Sequence, residues 1–307
     1  MFFYHKIFDP LSPVWRGMLL MAISSLAFVS MHALVKQLSE NLPAFEIAFF
    51  RSFLGFLLLA PTFMSHDTFP MRTTRFGLHA IRGLINGVSM LAFFTGVTLT
   101  PLAELTALSF TAPIFATILA IFFLGEKVGI RRWSAILIGF LGTLIILRPG
   151  FSNIGLGPML ILFAAMFWAI AMMFIKILTR TDSSLTITLY ASCWLSLITA
   201  IPAYLYWVTP SWYEMLFLFA IAALGTIGQT AMNQSFHEAD TSVVLPVDFS
   251  KLIWASLLGF ILFAEIPDIY TIAGALLIFG STTYIGIRES YLRKRQLSTT
   301  ENITPNT

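Results

Sequence analysis

The amino-acid sequence predicts an all-α polytopic membrane protein with ten transmembrane helices, arranged as two inverted five-helix repeats. Three observations predict this fold class: an apolar composition, ten apolar segments of spanning length, and an uneven distribution of basic residues between the loops. Of the 307 residues, 57% are hydrophobic and only 11% are charged, whereas a soluble domain has about 45–50% apolar and about 25% charged residues. The mean hydropathy is +0.84. The surroundings of most side chains are therefore expected to be lipid or other helices.

Ten segments approach the roughly 20 mostly apolar residues that a helix needs to cross a bilayer. In chain order they are Val14–Leu38, Pro43–Met64, Phe76–Leu99, Leu102–Leu124, Trp133–Leu147, Gly157–Leu178, Leu185–Trp207, Trp212–Phe236, Thr241–Ala264 and Ile269–Ile287. The linkers between them are short, and none of them has room for a soluble domain. The fifth segment is short for a span, so we expect it to lie with little tilt or to extend at its ends.

Basic residues in the predicted loops indicate the orientation, because Lys and Arg accumulate on the cytoplasmic side. With the N-terminus in the cytoplasm, 13 of them lie in cytoplasmic loops or termini and 2, Lys36 and Arg148, on the opposite side. The other three, Arg51, Arg82 and Lys251, lie within the segments. We therefore expect a multi-pass protein of the cell inner membrane with both termini cytoplasmic. No cleavable signal peptide is evident.

An internal duplication is suggested by two stretches, Pro101–Glu126 and Thr241–Glu265. Each has a proline in an apolar run, Pro113 or Pro246, and each ends in a glutamate that we expect to cap a helix or form an ion pair at the membrane edge. A proline inside a spanning helix frees a backbone carbonyl, and such helix breaks tend to line binding sites.

The predicted repeats are residues 14–148 and 157–288, followed by a polar, disordered cytoplasmic tail at 289–307. Each repeat contains five spans, and an odd number inverts the second repeat relative to the first. Many secondary transporters have this layout, with the substrate site near the midplane between the halves. The glycine spacing after the two glutamates is similar, since Gly142 and Gly280 follow them by 16 and 15 residues.

Asp248 and Lys251 are the first candidates for a substrate site. An acid and a base three residues apart lie on one face of a helix, and charges at this depth usually face a bundle interior or a watery cavity. Two interpretations stay open. The two side chains neutralise each other and fix how the ninth span packs, or they form a counter-ion pair that contacts a charged substrate or a proton.

Glu46 and Arg51 lie five residues apart on the second span, about 140° apart around the helix. We do not expect them to pair well with each other, so Arg51 needs a partner elsewhere. Arg82, near the cytoplasmic end of the third span, is expected to extend toward the membrane surface. Asn86, one turn deeper on the same face, is a candidate either for binding substrate or for joining two helices.

Six further residues complete the candidate pathway. Glu104 opens the fourth span, either as an acid favoured by the helix dipole or as part of a gate. Gln229 and Asn233 lie four apart on one face, which suggests a polar cavity or an interhelical hydrogen bond. His32 is a candidate proton relay or a packing residue. Trp168 and Trp254 are aromatic walls for an organic cargo or ordinary packing residues.

The longest stretches of the pattern resemble a known superfamily. Residues EIAFFR at 46–51, PLAELTALSFTAPIFATILAIFFLGEKVGIRRW at 101–133, GFLGTLIILRPG at 139–150 and VVLPVDFSKLIWASLLGFILFAEIPD at 243–268 are similar to those of EamA-type members of the drug/metabolite transporter superfamily. Within it, the chain resembles the bacterial relatives of the solute carrier 35 G branch, some of which are S-adenosylmethionine uptake transporters. The resemblance implies ten helices, alternating access and a central cavity. Lys251 stands where many relatives are expected to have arginine.

Together these features favour a secondary transporter of a small organic metabolite, an amino-acid-like or S-adenosylmethionine-like zwitterion or cation. The alternatives are an efflux carrier with proton antiport, an intramembrane enzyme and a channel. No phosphate-binding loop for a nucleotide is present, and the sequence His237-Glu238-Ala-Asp240 lacks the second histidine of a zinc motif. We expect no cofactor, no catalytic metal and no nucleic-acid partner. The expected partners are the substrate, the lipid bilayer, and protons or an exchanged substrate, for a monomer or a homodimer.

Overall fold

A computed structural model describes residues 12–59, 61, 72–124, 130–148, 155–178, 181–182, 184–239, 247–281, 283–284 and 287. Throughout this part of the chain the regular secondary structure is helical. The helices are α1 Pro13–Leu38, α2 Ala44–Leu59, α3 Phe76–Leu99, α4 Leu102–Ser109, α5 Ala112–Leu124, α6 Ile130–Leu147, α7 Leu156–Leu178, α8 Ser184–Leu205, α9 Trp212–Glu238, α10 Ser250–Phe263 and α11 Ile269–Ser281.

Six stretches of these helices are long and apolar enough to cross a membrane. They are Pro13–Leu38, Phe76–Leu99, Leu102–Leu119, Leu156–Ile175, Thr186–Leu205 and Trp212–Ser235. Shorter apolar helices accompany them, at Trp133–Leu147, Ser250–Phe263 and Ile269–Ser281. Many large apolar side chains lie exposed on the helices, as expected of a protein whose outer surface faces lipid rather than water.

The fourth predicted span is not one continuous helix. Helix α4 ends at Ser109 and α5 begins at Ala112. The cause is Pro113, which has no backbone N–H and whose ring would clash with the carbonyl of Ser109, four residues earlier. The Thr111 hydroxyl donates to the Leu108 carbonyl at 2.6 Å and so satisfies one backbone acceptor at the break.

The ninth predicted span is also interrupted where it is described. Val247 and Asp248 are helical, Phe249 forms a turn, and α10 begins at Ser250. Pro246, the predicted helix break, lies outside the described residues. The rings of Phe110 and Phe249 are 4.3 Å apart between centroids, so the interruptions of the two spans meet inside the bundle.

Helix packing follows a regular pattern. Helix α1 packs mainly on α9, and α3 packs mainly on α7. Helix α2 packs on α8, with further contacts of α3 to α8 and of α9 to α2. Helix α10 contacts both α1 and α4, while α7 contacts α4 and α5. The core is the set of buried apolar side chains enclosed between these pairs.

Glycines bring α6 and α11 into close contact. A Cβ atom at Gly142 would lie 2.7 Å from the carbonyl oxygen of Gly274, and one at Gly274 would lie 2.5 Å from that of Gly142. Gly280 has no such neighbour within 4 Å. Gly142 and Gly280 therefore do not share a packing role despite their similar spacing, because the residue of α11 that packs against Gly142 is Gly274.

Charged residues meet at one end of the bundle, which we call the Lys36 end. Lys36 donates to the Thr100 carbonyl at 2.9 Å and forms an ion pair with Glu265. The second Glu265 oxygen accepts the Leu102 backbone N–H at 2.9 Å, so this carboxylate caps the N-terminus of α4. Glu265 thus both caps and pairs as its position in the sequence predicts, whereas Glu126 lies outside the described residues.

The opposite end, which we call the His79 end, has its own polar contacts. His79 Nε2 lies 3.3 Å from the Asp182 carboxylate, and the imidazole stacks on Tyr190 with centroids 4.4 Å apart. Arg16 Nε lies 3.6 Å from the Glu238 carboxylate. Between these two ends the bundle is mostly apolar, and it contains buried polar groups.

Candidate substrate site

Asp248 and Lys251 form an ion pair at mid-depth. Asp248 Oδ1 lies 2.6 Å from Lys251 Nζ and accepts the Ser25 hydroxyl at 3.2 Å. Both charged side chains are 17% exposed, and Ser25 lies near the middle of α1. The pair and the hydroxyl together offset part of the cost of removing two charges from water.

Aromatic rings continue from this pair along one face of α1. Lys251 Nζ lies 5.2 Å from the centroid of the Phe28 ring, within the range of a cation–π interaction. Phe28 stacks on His32 at 6.5 Å, and His32 lies 5.0 Å from Phe93. The ring of Phe28 has room because position 228 is glycine, where a Cβ atom would approach it to 3.2 Å.

Arg51 brings a second positive charge toward the same region. Its Nε would lie 3.1 Å from a Cβ atom on Gly225 of α9, and no described residue accepts a hydrogen bond from this buried nitrogen. His32 interacts electrostatically with both Arg51 and Lys251. The partner that the sequence led us to expect for Arg51 does not exist among the described residues, where no carboxylate forms an ion pair with it.

Glu46 is fully buried and does not pair with Arg51. One of its oxygens accepts the Val208 N–H at 3.0 Å, while Oε1 has no partner. The wide angle between positions 46 and 51 around α2 predicts this separation. Glu46 therefore holds the chain after α8 against the start of α2, at the same end of α2 as the Lys36 end of the bundle.

We call Ser25, Phe28, His32, Arg51, Asp248 and Lys251 the central cluster. Its formal charge is +1 with His32 neutral, because one carboxylate faces two cations. Ser25, Phe28 and His32 recur at helical spacing on α1. We did not select Ser25 and Phe28 from the sequence. Their helical spacing from His32 could have indicated that all three lie on one face of α1.

One predicted candidate, Arg82, makes a hydrogen bond to a neighbouring helix, and a second, Asn86, is buried. Arg82 is only 6% exposed, and its Nη1 donates to the Ile187 carbonyl of α8 at 3.0 Å. The expectation that it extends toward the membrane surface is wrong, because α8 lies close enough to supply an acceptor: a Cβ at Gly83 would meet Trp194 at 2.4 Å. Asn86 lies buried on α3, one turn further along.

The amides of Gln229 and Asn233 bind each other. Gln229 Nε2 donates to Asn233 Oδ1 at 3.2 Å, so the contact lies within α9 rather than between helices. Trp168 is half-buried on α7. Trp254 is half-buried on α10, and its indole Nε1 is buried without an acceptor.

Glu104 lies away from the central cluster, in a cavity of about 460 Å³ at the Lys36 end. Pro113 lies at the α4–α5 break, in the first turn of α5. In the part of the chain that is described, no three His, Cys, Asp or Glu side chains are grouped to hold a metal ion. Of the His237–Asp240 motif, Glu238 faces Arg16, while the His237 side chain and Asp240 lie outside the described residues.

Relatives with assigned transport roles align with most of this chain. An S-adenosylmethionine uptake transporter of Rickettsia felis is 28% identical over 85% of this chain and 89% of its own length. A riboflavin transporter of Rhizobium johnstonii is 30% identical over 91% and 93%. A pseudopaline exporter of Pseudomonas aeruginosa is 29% identical over 85% and 93%.

A solved crystal structure shares the fold, with a TM-score of 0.60 and 17% identity, over 89% of this chain and 98% of that one. The EamA-like transporter family matches the sequence twice, over residues 15–148 and 155–287. The two matches together cover nearly the whole chain. The chain therefore belongs to the EamA-like transporter family and is a multi-pass membrane transporter.

Proposed function

We propose that the protein carries a small organic zwitterion or cation, amino-acid-like or S-adenosylmethionine-like, across the cell inner membrane by alternating access. The observation that carries this proposal is the Asp248–Lys251 pair at mid-depth, beside an aromatic ring and close to the turn where the ninth span is interrupted. Riboflavin carries no permanent charge that would use this arrangement, whereas S-adenosylmethionine has a sulfonium, an ammonium and a carboxylate.

Binding exchanges one ion pair for two. The ammonium or sulfonium of the substrate takes the place of Lys251 at Asp248, with Phe28 as an aromatic wall for the positive charge. The substrate carboxylate is attracted to Lys251 and to Arg51, which has no acidic partner of its own among the described residues. A zwitterion therefore keeps Asp248 paired with a cation and gives Lys251 and Arg51 a carboxylate to share, which favours its binding inside a membrane.

The proposed architecture is ten spans in two inverted repeats, at 14–148 and 157–288, with a cytoplasmic tail at 289–307. If a symmetry axis relates the two repeats, α1 corresponds to α7, α3 corresponds to α9, and α4 together with α5 corresponds to α10. The main contacts then map onto each other: α1 with α9 onto α7 with α3, and α10 with α1 onto α4 and α5 with α7. Phe110 lies 16 residues before Glu126, and Phe249 lies 16 residues before Glu265. In the proposed symmetry they are equivalent residues, and their contact with each other is expected of residues near the axis that relates the two halves.

Efflux with proton antiport is the second candidate for the direction and coupling of transport. The similarity to a pseudopaline exporter favours it. Uptake and efflux use the same binding site in either case.

Thermal unfolding of the purified protein with candidate ligands tests the proposal. A ligand present at 100 times its dissociation constant stabilises the folded state by about 2.7 kcal/mol. We expect S-adenosylmethionine to raise the melting temperature and riboflavin to leave it unchanged. Asp248→Asn and Arg51→Met should each abolish the ligand-induced increase.

Glu40→Gln is the matched control, because Glu40 is exposed at the end of α1. This variant should keep the full response to S-adenosylmethionine. Stabilisation by riboflavin alone, or an undiminished response in Asp248→Asn, would contradict the proposed cargo and site.

A further inference from the structure

The cavity at the Lys36 end lies apart from the central cluster but along the same helix. Ala255, Ser256 and Gly259 of α10 line it, and Ser256 is five residues beyond Lys251, about 7.5 Å along the helix axis. Pro101, Gly155 and Ile266 are exposed at its edge. The cavity thus leads from the Lys36 end toward the depth of the cluster.

The size of the cavity suits an organic ligand. Its volume is about 460 Å³, and ligand pockets have volumes of about 300–1,000 Å³. Its inner wall includes the buried small residues Ala103 and Ala255. Polar groups are concentrated on the side formed by the start of α4, the end of α6 and the start of α11.

Most of the charges around the cavity already have partners. Arg148 forms an ion pair with Asp268 and lies over the Tyr270 ring at 4.2 Å. The second Asp268 oxygen accepts the Thr271 N–H at 2.7 Å. Lys36 and Glu265 form the ion pair that also binds the Thr100 carbonyl and the N-terminus of α4.

Glu104 is different from these residues. Among the described residues, none donates a hydrogen bond to its carboxylate and none forms an ion pair with it. At longer range Arg148 and Lys36 attract it and Glu265 repels it. Residues 149–154, which follow the cavity-lining Arg148, contain no ionisable side chain. The charges around the cavity that the structure describes therefore sum to −1, and Glu104 supplies the excess.

We propose that this cavity is a second, vestibular binding site that selects cationic groups through Glu104, and that cargo occupies it before or after the central cluster. The class of ligand is an organic ammonium or sulfonium. That the ligand is the cargo rests on the proposed function, whereas the selection of positive charge follows from the cavity alone. An uncompensated carboxylate in a concave, partly buried site attracts cations more strongly than an exposed one does.

Thiol modification tests the charge selection. The variant Ser256→Cys places a thiol on the cavity wall, in a Cys193→Ser background that removes the native thiol. The purified protein is treated with trimethylammonioethyl or sulfonatoethyl methanethiosulfonate, reagents of opposite charge. We expect the cationic reagent to react faster, and Glu104→Gln to reduce the cation-to-anion rate ratio by roughly tenfold, because a nearby charge acts oppositely on the two reagents.

Two matched variants serve as controls. Glu104→Asp keeps the charge and should keep the rate ratio. Glu40→Gln removes a carboxylate from the same end of the molecule but outside the cavity, so the ratio should change less than twofold. Each variant is first checked for a monodisperse, cooperatively unfolding protein, and Glu104→Asp provides the folded reference if Glu104→Gln lowers the yield.

The outcomes separate this inference from the proposed function. A ratio that is unchanged in Glu104→Gln, or that falls equally in Glu40→Gln, overturns the vestibular site. The charge-neutral double variant Asp248→Asn/Lys251→Met should leave the ratio at Ser256→Cys unchanged even where it abolishes the response to S-adenosylmethionine. A ratio that depends on Glu104 in a protein that does not bind S-adenosylmethionine would support the cation site while removing the proposed cargo.

Discussion

Asp248 and Lys251 serve both the packing of the ninth span and, as we propose, the binding of cargo. Each is the other's nearest counter-ion, so removing either one leaves an uncompensated charge inside the bundle. Loss of transport in a single variant would therefore not separate the two roles. The distinction requires a variant in which both charges are absent and the fold is intact.

We expect Asp248→Asn and Lys251→Met each to destabilise the protein by about 1–3 kcal/mol, because the remaining charge is left partly buried and unpaired. The double variant Asp248→Asn/Lys251→Met should recover most of this stability, yet transport should stay at least tenfold below that of the wild type. Thermal unfolding in detergent and uptake into proteoliposomes measure the two effects separately.

The ion pair of Arg16 and Glu238 at the His79 end is the matched control. The double variant Arg16→Met/Glu238→Gln should transport normally, because this pair lies outside the central cluster. Recovery of transport together with stability in Asp248→Asn/Lys251→Met would identify the central pair as structural only.

At the scale of the helices, close backbone contact joins the last helix of one half to the last helix of the other. The approach of α6 and α11 depends on the absence of side chains at Gly142 and Gly274. Small residues are favoured at such contacts in membranes, where helices associate by van der Waals packing and hydrogen bonds. We expect this contact to hold the two halves together, and a substitution at Gly142 tests it.

Gly142→Ala is expected to destabilise the protein by roughly 1–3 kcal/mol, since its methyl group would meet a backbone oxygen that cannot rotate away. Gly280→Ala, on the facing helix, meets no atom within 4 Å and should leave the melting temperature unchanged or slightly higher. Equal melting temperatures for the two variants would show that the α6–α11 contact is not as close as described.

Long apolar runs were enough to locate the helices that the structure describes, because burial in lipid requires such a run whatever its neighbours are. It was not enough to place the break in the fourth span, which lies at Phe110 and Thr111 rather than at Pro113. The reason is that proline disturbs the carbonyl four residues before it. The contact of Phe110 with Phe249 depends on tertiary packing and has no local signal.

The candidate site was only partly predictable for a similar reason. The i, i+3 spacing of Asp248 and Lys251 was sufficient for an ion pair, and helical geometry correctly separated Glu46 from Arg51. The partner of Arg82 was not predictable, because it is a carbonyl of α8 that only the tertiary fold brings within reach. The bond of Gln229 to Asn233 on the same helix follows from their i, i+4 spacing, although the sequence led us to expect a polar cavity or an interhelical hydrogen bond.

At the scale of the whole molecule, the proposed orientation assigns the Lys36 end to the outside of the cell and the His79 end to the cytoplasm. It follows from the excess of Lys and Arg in the loops on one side. Gln37 is exposed at the Lys36 end, and Thr74 is exposed in the linker before α3. The two positions provide matched sites for labelling from opposite sides.

In a Cys193→Ser background, a membrane-impermeant maleimide added to intact spheroplasts should label Gln37→Cys and not Thr74→Cys. After the membrane is permeabilised, both variants should be labelled to a similar extent. The reverse pattern in intact spheroplasts would contradict cytoplasmic termini, and labelling of both before permeabilisation would contradict the placement of the two sites on opposite sides of the single span α2.

Counterflow through the wild-type protein tests alternating access at the central cluster most directly. Proteoliposomes loaded with unlabelled S-adenosylmethionine should take up labelled S-adenosylmethionine several-fold faster than empty ones, because loaded carriers return across the membrane more readily. Asp248→Asn, reconstituted at the same density, should lose this stimulation. Uptake that is equal in loaded and empty vesicles, or stimulation that persists in Asp248→Asn, would contradict a carrier that binds its cargo at Asp248.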